Sequence, residues 1–312
     1  MNTIVTITMN PSLDLSTEIE EMLPGRKLRT APLRREPGGG GINVARGIQT
    51  LGGQVTALYT VGGPTGQMLK ELVDQEDINH YPLPIQRPTR ESFAILESSS
   101  GHLFHFVSPG PELSQQEWQQ CLDQIDQWKP KPTYLVASGS LPPGVPNDWY
   151  ARLARIAKKQ GMRLILDTSG PPLQAALEEG VYLVKPNQHE FQNLTGHSVD
   201  TPEEQATLTR EFVEQGKAEV VILTLGDKGA LLTTREEQQR AQPPKVKSIS
   251  PVGAGDSFVA VITFNLARGR ALKESLYYGV AAAAAALLTP GTELYRTEDM
   301  ERIYQQMCRE QH

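Results

Sequence analysis

Between residues 113 and 225 the chain repeats one unit, and this repeat limits its fold more than any other feature. Helical patterns at 114–127, 146–160, 171–179 and 202–215 alternate with strand patterns at 133–138, 162–167, 181–185 and 219–225. Repeated βα units with short links build a mostly parallel sheet with helices on both faces. A first core strand is expected at 3–8, delivered into the Asn10-Pro11 loop, and a further strand and helix at 54–61 and 65–75. Two hairpin-like strands at 229–234 and 238–249 close the sheet's edge, and 254–268, 272–288 and 297–310 read as helices.

Two stretches do not fit this pattern. Residues 13–20 and 27–36 are extended but too hydrophilic for the middle of a parallel sheet buried on both faces. Residues 91–97 and 101–107, turned by Ser98-Ser99-Ser100-Gly101, read as a hairpin of alternating polarity. Together they predict a small sheet inserted in two pieces, about 12–37 and 88–108, into one α/β domain spanning 1–312. A sheet placed there can close over a site.

Composition narrows the function classes. Hydrophobic residues make up 38% of the 312 residues and charged residues 21%, the profile of a folded globular protein. The formal net charge of −6 argues against nucleic-acid binding, which draws affinity from clustered Lys and Arg. The longest apolar run, Val280 to Leu288, is far short of the ~20 residues a membrane span needs. The start of the sequence lacks the basic and apolar regions of a secretory leader. Cys121 and Cys308 are far apart and show no metal-binding spacing, so a reducing cytoplasm is expected.

Three segments carry the chemistry. Pro251-Val252-Gly253-Ala254-Gly255-Asp256-Ser257-Phe258 follows an extended stretch and opens an apolar helix. Its glycines let backbone N–H groups converge at a helix N-terminus, which favours anions, and Asp256 in the first turn can accept the proton of an attacking hydroxyl. An isolated GxGD reads rather as a turn with a helix cap, and it is the whole octapeptide with its neighbours that points to chemistry. Pro37-Gly38-Gly39-Gly40-Gly41-Ile42-Asn43 offers bare backbone to a substrate and an amide to a sugar hydroxyl, or else is a flexible loop. It fails the GxGxxG spacing of a dinucleotide fold, and no GxxxxGK[ST] occurs. Lys185-Pro186-Asn187-Gln188-His189-Glu190 sits past a strand's carboxyl end, where open α/β sheets bind ligands. Lys185 suits phosphate there, and Asn187 and Glu190 suit Mg²⁺ and its waters.

These segments, with Thr224-Leu225-Gly226-Asp227-Lys228-Gly229, resemble the phosphofructokinase B branch of the ribokinase-like carbohydrate kinases, in order and spacing over nearly the whole chain. Asn10-Pro11-Ser12-Leu13-Asp14, Pro24-Gly25-Arg26-Lys27-Leu28-Arg29 and Ser138-Gly139-Ser140-Leu141-Pro142-Pro143-Gly144 add to the likeness. The resemblance implies a ribokinase-like fold whose small sheet is a lid, and transfer of the ATP γ-phosphate to a phosphorylated hexose. Asp256 would be the base, with Gly253, Ala254 and Gly255 as the anion hole. Asp14, Gly39, Asn43 and Ser140 would hold sugar hydroxyls, and Lys27, Arg29 and Arg90 the substrate's own phosphate. Lys185, Asn187, Glu190, Thr224, Gly226, Gly229 and Ser248 would face the nucleotide, with Val280 and Ala283 beside the adenine.

The same resemblance implies Mg-ATP, with Glu190 and Asp167 meeting Mg²⁺ mostly through water. Asp167 reads equally as the cap of the next helix. Ser250 and Val252 fit a K⁺ site, with Leu288-Thr289-Pro290-Gly291-Thr292-Glu293 as the return loop. Kinases of fructose 1-phosphate and tagatose 6-phosphate in this branch usually carry lysine where this chain has Gly40, which tilts the expected acceptor toward fructose 6-phosphate. A homodimer through the small sheet is expected. The readings from other classes are a non-catalytic sugar-phosphate sensor on the same fold and a nucleotide-cofactor oxidoreductase.

Overall fold

Ile4–Thr8 is buried at all five positions, as a strand covered on both faces of a sheet must be. In the computed structural model, which describes residues 3–291 and 293–310, this strand is β1; Thr292 of the return loop lies outside the described residues. It is followed by β2 (Ser12–Ile19), β3 (Arg34–Gly38), α1 (Gly40–Thr50), β4 (Val55–Val61), α2 (Gly63–Gln75), β5 (Asn79–Pro84), β6 (Arg90–Glu97) and β7 (Leu103–Val107). The βα run comprises α3 (Gln115–Asp126), β8 (Tyr134–Ser138), α4 (Trp149–Gln160), β9 (Arg163–Asp167), α5 (Gly170–Glu179), β10 (Val181–Val184), α6 (Gln188–Thr195), α7 (Pro202–Glu214) and β11 (Ala218–Thr224). The chain ends with β12 (Ala230–Thr233), β13 (Gln238–Ala241), α8 (Ala254–Ala267), α9 (Leu272–Ala286) and α10 (Thr297–Arg309).

Nine strands form the main sheet in the order β13-β12-β11-β10-β9-β8-β1-β4-β5. All neighbours from β11 to β5 pair in parallel, and β12 and β13 finish one edge antiparallel. One apolar core lies under α1, α8, α9 and α10 and the other under α3, α4, α5 and α7, so each face is covered. The second sheet, β3-β2-β6-β7, comes from the two inserted pieces, with β2 and β6 side by side in parallel and β3 and β7 as antiparallel edges.

Four elements differ from the sequence expectation. Of the extended stretch expected over 27–36, only the part within Arg34–Gly38 pairs as a strand, and 27–33 takes no regular form. β5 carries no clear strand pattern, because Pro82 and Pro84 remove backbone donors; it sits at the free edge of the sheet, where prolines are tolerated. The strand expected over 238–249 stops at Ala241, since Pro243 and Pro244 cannot continue a ladder, and 242–253 takes no regular form. Residues 188–195 form a short helix, α6, started by a capping box in which Asn187 accepts from the Glu190 N–H and the Glu190 carboxylate accepts from the Asn187 N–H.

Candidate active site

The parallel strands all end at one rim of the main sheet, and that rim collects the polar residues singled out above. β8 ends at Ser138, β9 at Asp167, and β10 and β11 are followed or ended by Lys185 and Thr224. Ligands of open parallel sheets bind outside these carboxyl ends.

α8 begins at this rim. Its N-cap is Gly253, whose φ of 79° is left-handed, a conformation glycine adopts without the steric cost of a Cβ. No side chain caps this end, and the first intrahelical bond runs from the Ser257 N–H to the Gly253 carbonyl. The amides of Ala254, Gly255 and Asp256 therefore stand as the donors of an anion-binding helix terminus. The Asp256 side chain turns away from those amides. Asn43 Nδ2 donates to its Oδ2 at 2.9 Å, and Ser138 Oγ donates to its Oδ1 at 3.5 Å. The carboxylate is thus no cap of its own helix but is held by α1 and β8.

Glycines make this approach feasible. A Cβ on Gly40 would overlap the Ser138 hydroxyl, and one on Gly38 would overlap the Asp14 carboxylate. Gly39, the α1 N-cap, has a φ of 113°.

Burial raises the Asp256 pKa to about 7, with the charge of Asp167 adding to the rise and Asn43 and Lys185 opposing it. Lys185 Nζ stands 3.0 Å from Asp167 Oδ1 on a side chain only 7% exposed. Burial acts to lower the Lys185 pKa, but Asp167, Glu190 and Asp256 outweigh it, so the ammonium stays charged. Burial also raises the Glu190 and Asp14 carboxyls; Asp14 is partly compensated by a 2.6 Å bond from Ser12 Oγ and by Arg90.

Two cavities meet at the start of α8. One, of about 300 Å³, is lined by Gly40, Ser138, Ser140, Asp167, Glu190 and Asp256 and is strongly polar. The other, of about 660 Å³, is largely apolar and runs from Lys185, Ala254 and Gly255 to Val280, Ala283 and Leu287. Adjacent residues of one helix turn face different cavities: Asp256 the polar one, Ala254 and Gly255 the apolar one.

The model of the pfkB family carbohydrate kinases matches residues 2–298 of this sequence. The chain belongs to the pfkB family of carbohydrate kinases. It is 44% identical over 302 residues to the ATP-dependent 6-phosphofructokinase isozyme 2 of Mycobacterium tuberculosis, covering 97% of this chain and 89% of that one. It is 42% identical over 308 residues to the corresponding isozyme of Escherichia coli, covering 98% and 99%. The fold superimposes on phosphofructokinase-2 from Escherichia coli, solved in complex with potassium, with a TM-score of 0.94 at 41% identity over 99% of this chain and 100% of that one.

In this pfkB kinase the apolar cavity gathers Lys185, Asn187, Thr224, Gly226, Gly229, Ser248, Val280 and Ala283, all eight residues expected there apart from Glu190. Glu190 lines the polar cavity instead, facing Asp167 and Asp256. Asp167 caps no helix; Ser169 is the N-cap of α5, and Asp167 holds Lys185. Asn187 lines the apolar cavity while also capping α6. Ser140 lines the polar cavity and accepts from Asn10 Nδ2 at 3.1 Å. Arg90 opens β6 opposite Ser12 of β2 and donates to the carbonyls of Asn10 and Ser108. Lys27 and Arg29 are exposed on the 20–33 connection and line neither cavity. Ser250 donates to the Gly291 carbonyl at 2.8 Å and accepts from the Val252 N–H, which places these expected cation partners beside the return loop.

Sequence reasoning missed Ser138, Gly139 and Thr168 in the polar cavity and Gln242, Pro243, Pro244 and Val246 on the apolar one. Ser138 stands two residues before the serine that was singled out, and its position as the last residue of a strand was the available signal. The 242–246 segment carried none, because it was read as strand.

Proposed function

We propose that the protein transfers the γ-phosphoryl group of ATP to the 1-hydroxyl of fructose 6-phosphate, giving fructose 1,6-bisphosphate and ADP. The observation that carries this reading is the division at α8, where a carboxylate faces one cavity and uncapped amides face the next. The acceptor belongs in the polar cavity and the nucleotide in the larger one, with adenine against the α9 face that carries Val280 and Ala283. Relatives at 42–44% identity bear the name ATP-dependent 6-phosphofructokinase, and others at 31–32% are 1-phosphofructokinases. Gly40 in place of a lysine favours the first group.

Asp256 accepts the proton of the attacking hydroxyl while that oxygen bonds to the γ-phosphorus and the bond to the ADP oxygen breaks. The amides of Ala254, Gly255 and Asp256 stabilise charge on the phosphoryl oxygens, and Lys185 lies close to this point, 3.6 Å from where a Gly255 Cβ would stand. Asp14, Gly39, Asn43 and Ser140 orient the sugar, and Arg90 serves its phosphate. Lys27 and Arg29 join only if the 20–33 connection folds over the cavity, as the small sheet closes. Hard carboxylate oxygens at Glu190 and Asp167, in the same cavity, fit Mg²⁺ held through water. Bound there, Mg²⁺ would neutralise phosphate charge. A K⁺ site beside Ser250 and Val252 and a homodimer through the small sheet, whose Phe106 and Val107 are 49% and 58% exposed, complete the proposal, in a cytoplasmic setting.

The deciding experiment is ADP release measured across fructose 6-phosphate, fructose 1-phosphate, tagatose 6-phosphate and unphosphorylated sugars. Highest kcat/KM with fructose 6-phosphate supports the reading; preference for another phosphate moves it within the family. No ADP release with any sugar leaves the non-catalytic sensor.

A further inference from the structure

We infer that Arg46 is the positioning residue of the active site, setting the orientation of the Asn43 amide and, through it, the Asp256 carboxylate. The inference rests on the proposed role of Asp256. Arg46 follows Asn43 by three residues on α1, so the two side chains share one helix face. Its guanidinium is 11% exposed and sits among acceptors from three elements, α1, β3 and the end of α2. Nε donates to both oxygens of Glu76, the residue that ends α2, at 2.8 and 2.9 Å. NH1 donates to the Asn43 Oδ1 and to the Pro37 carbonyl, each at 3.4 Å, and NH2 pairs with Glu36 at 3.6 Å.

The chemistry of these groups leaves one arrangement. An amide side chain can turn over, exchanging its oxygen and nitrogen at little cost unless its neighbours forbid it. A guanidinium only donates, so the side of Asn43 facing Arg46 must be its oxygen. That leaves the NH₂ group for Asp256, a carboxylate that only accepts when ionised. The reversed amide would set oxygen against carboxylate and NH₂ against guanidinium. Arg46 therefore determines which end of Asn43 meets Asp256, without touching the reacting atoms.

The same side chain reaches the small sheet. Glu36 and Pro37 belong to β3, and Glu36 stands opposite Asp14 of β2 in the strand register. The inserted sheet, α1, the end of α2 and the catalytic carboxylate are joined through one guanidinium.

Arg46→Met removes these donors and takes from the Glu76 carboxylate its two bonds to Nε. The companion variant Arg46→Met/Glu76→Gln neutralises that carboxylate and keeps the test open if the single variant does not fold. With fructose 6-phosphate as acceptor, the folded variant should lose about tenfold in kcat, the scale of a small misplacement of a reacting group, with KM for ATP within about twofold. Arg46→Lys, which still only donates, should recover part of that loss. Adding Asn43→Ala to Arg46→Met/Glu76→Gln should cost no more than Asn43→Ala alone, because both act through one amide. An unchanged kcat, or losses that multiply, would overturn the inference while the kinase reading stands. A wild-type protein that phosphorylates no sugar would remove both.

Discussion

Asn43 and Asp256, 213 positions apart in the chain, meet across a 2.9 Å hydrogen bond from amide to carboxylate. This contact joins the glycine-rich start of α1 to the glycine-rich start of α8, so the two motifs form one site. It also separates the Asp256 carboxylate from the amides of its own helix, leaving both available.

Replacing Asp256 by Asn should lower kcat by about 10²–10⁴, the usual contribution of general-base catalysis, and leave the KM for ATP nearly unchanged. Steady-state kinetics with both substrates checks it. Unchanged turnover would remove Asp256 from its assigned role.

The pH dependence follows from the raised pKa of Asp256. A protonated carboxyl cannot accept a proton, so kcat should fall as pH drops through about 7. Lys185 opposes the rise, so Lys185→Met should move that limb to higher pH. A pH profile of kcat for both proteins tests the direction.

The same group bears on stability. Because the folded-state pKa is raised from 3.8 to about 7, ionised Asp256 disfavours the fold fully above pH 7, and this penalty shrinks as pH falls from 7 toward 3.8. Asp256→Asn should therefore raise Tm at pH 8, with the gain narrowing at pH 5. Equal gains at both pH values would show that the carboxylate is not strained by burial.

Gly40→Ala should impair activity. The added methyl overlaps the Ser138 hydroxyl, and relief displaces either β8 or α1, at a cost of about 1–3 kcal/mol in stability. Denaturant unfolding together with kcat measures both parts.

Ala283→Phe should fill the apolar cavity from the α9 side, raising the KM for ATP by at least about tenfold while the sugar KM changes little. Equal loss for both substrates would place the nucleotide elsewhere.

Much of the fold was legible because its signals are local. The βα alternation appears as apolar runs and helix-start residues, and the small sheet as polar extended segments. β5 escaped because an edge strand carries prolines that read as breakers, and 242–253 was misread because a proline pair ended a strand earlier than its apolar neighbours suggested. The glycines and Asp256 stood out because few roles require them. Ser138 and Arg46 did not, since a serine at a strand end and an arginine on a helix are ordinary until their partners are known.

The amino-acid order by itself determined the layered α/β architecture, the inserted sheet and the glycine-rich and polar segments that gather at the sheet's rim, because hydrophobic period and glycine content act over a few residues. Only the tertiary structure decided that Asp256 faces Asn43 and Ser138 rather than capping its helix, that Asp167 holds Lys185, and that Arg46 meets the Asn43 amide. Those outcomes depend on burial and on donor–acceptor pairing between distant segments. Such pairing exists only once the strands have brought their carboxyl ends to a common rim.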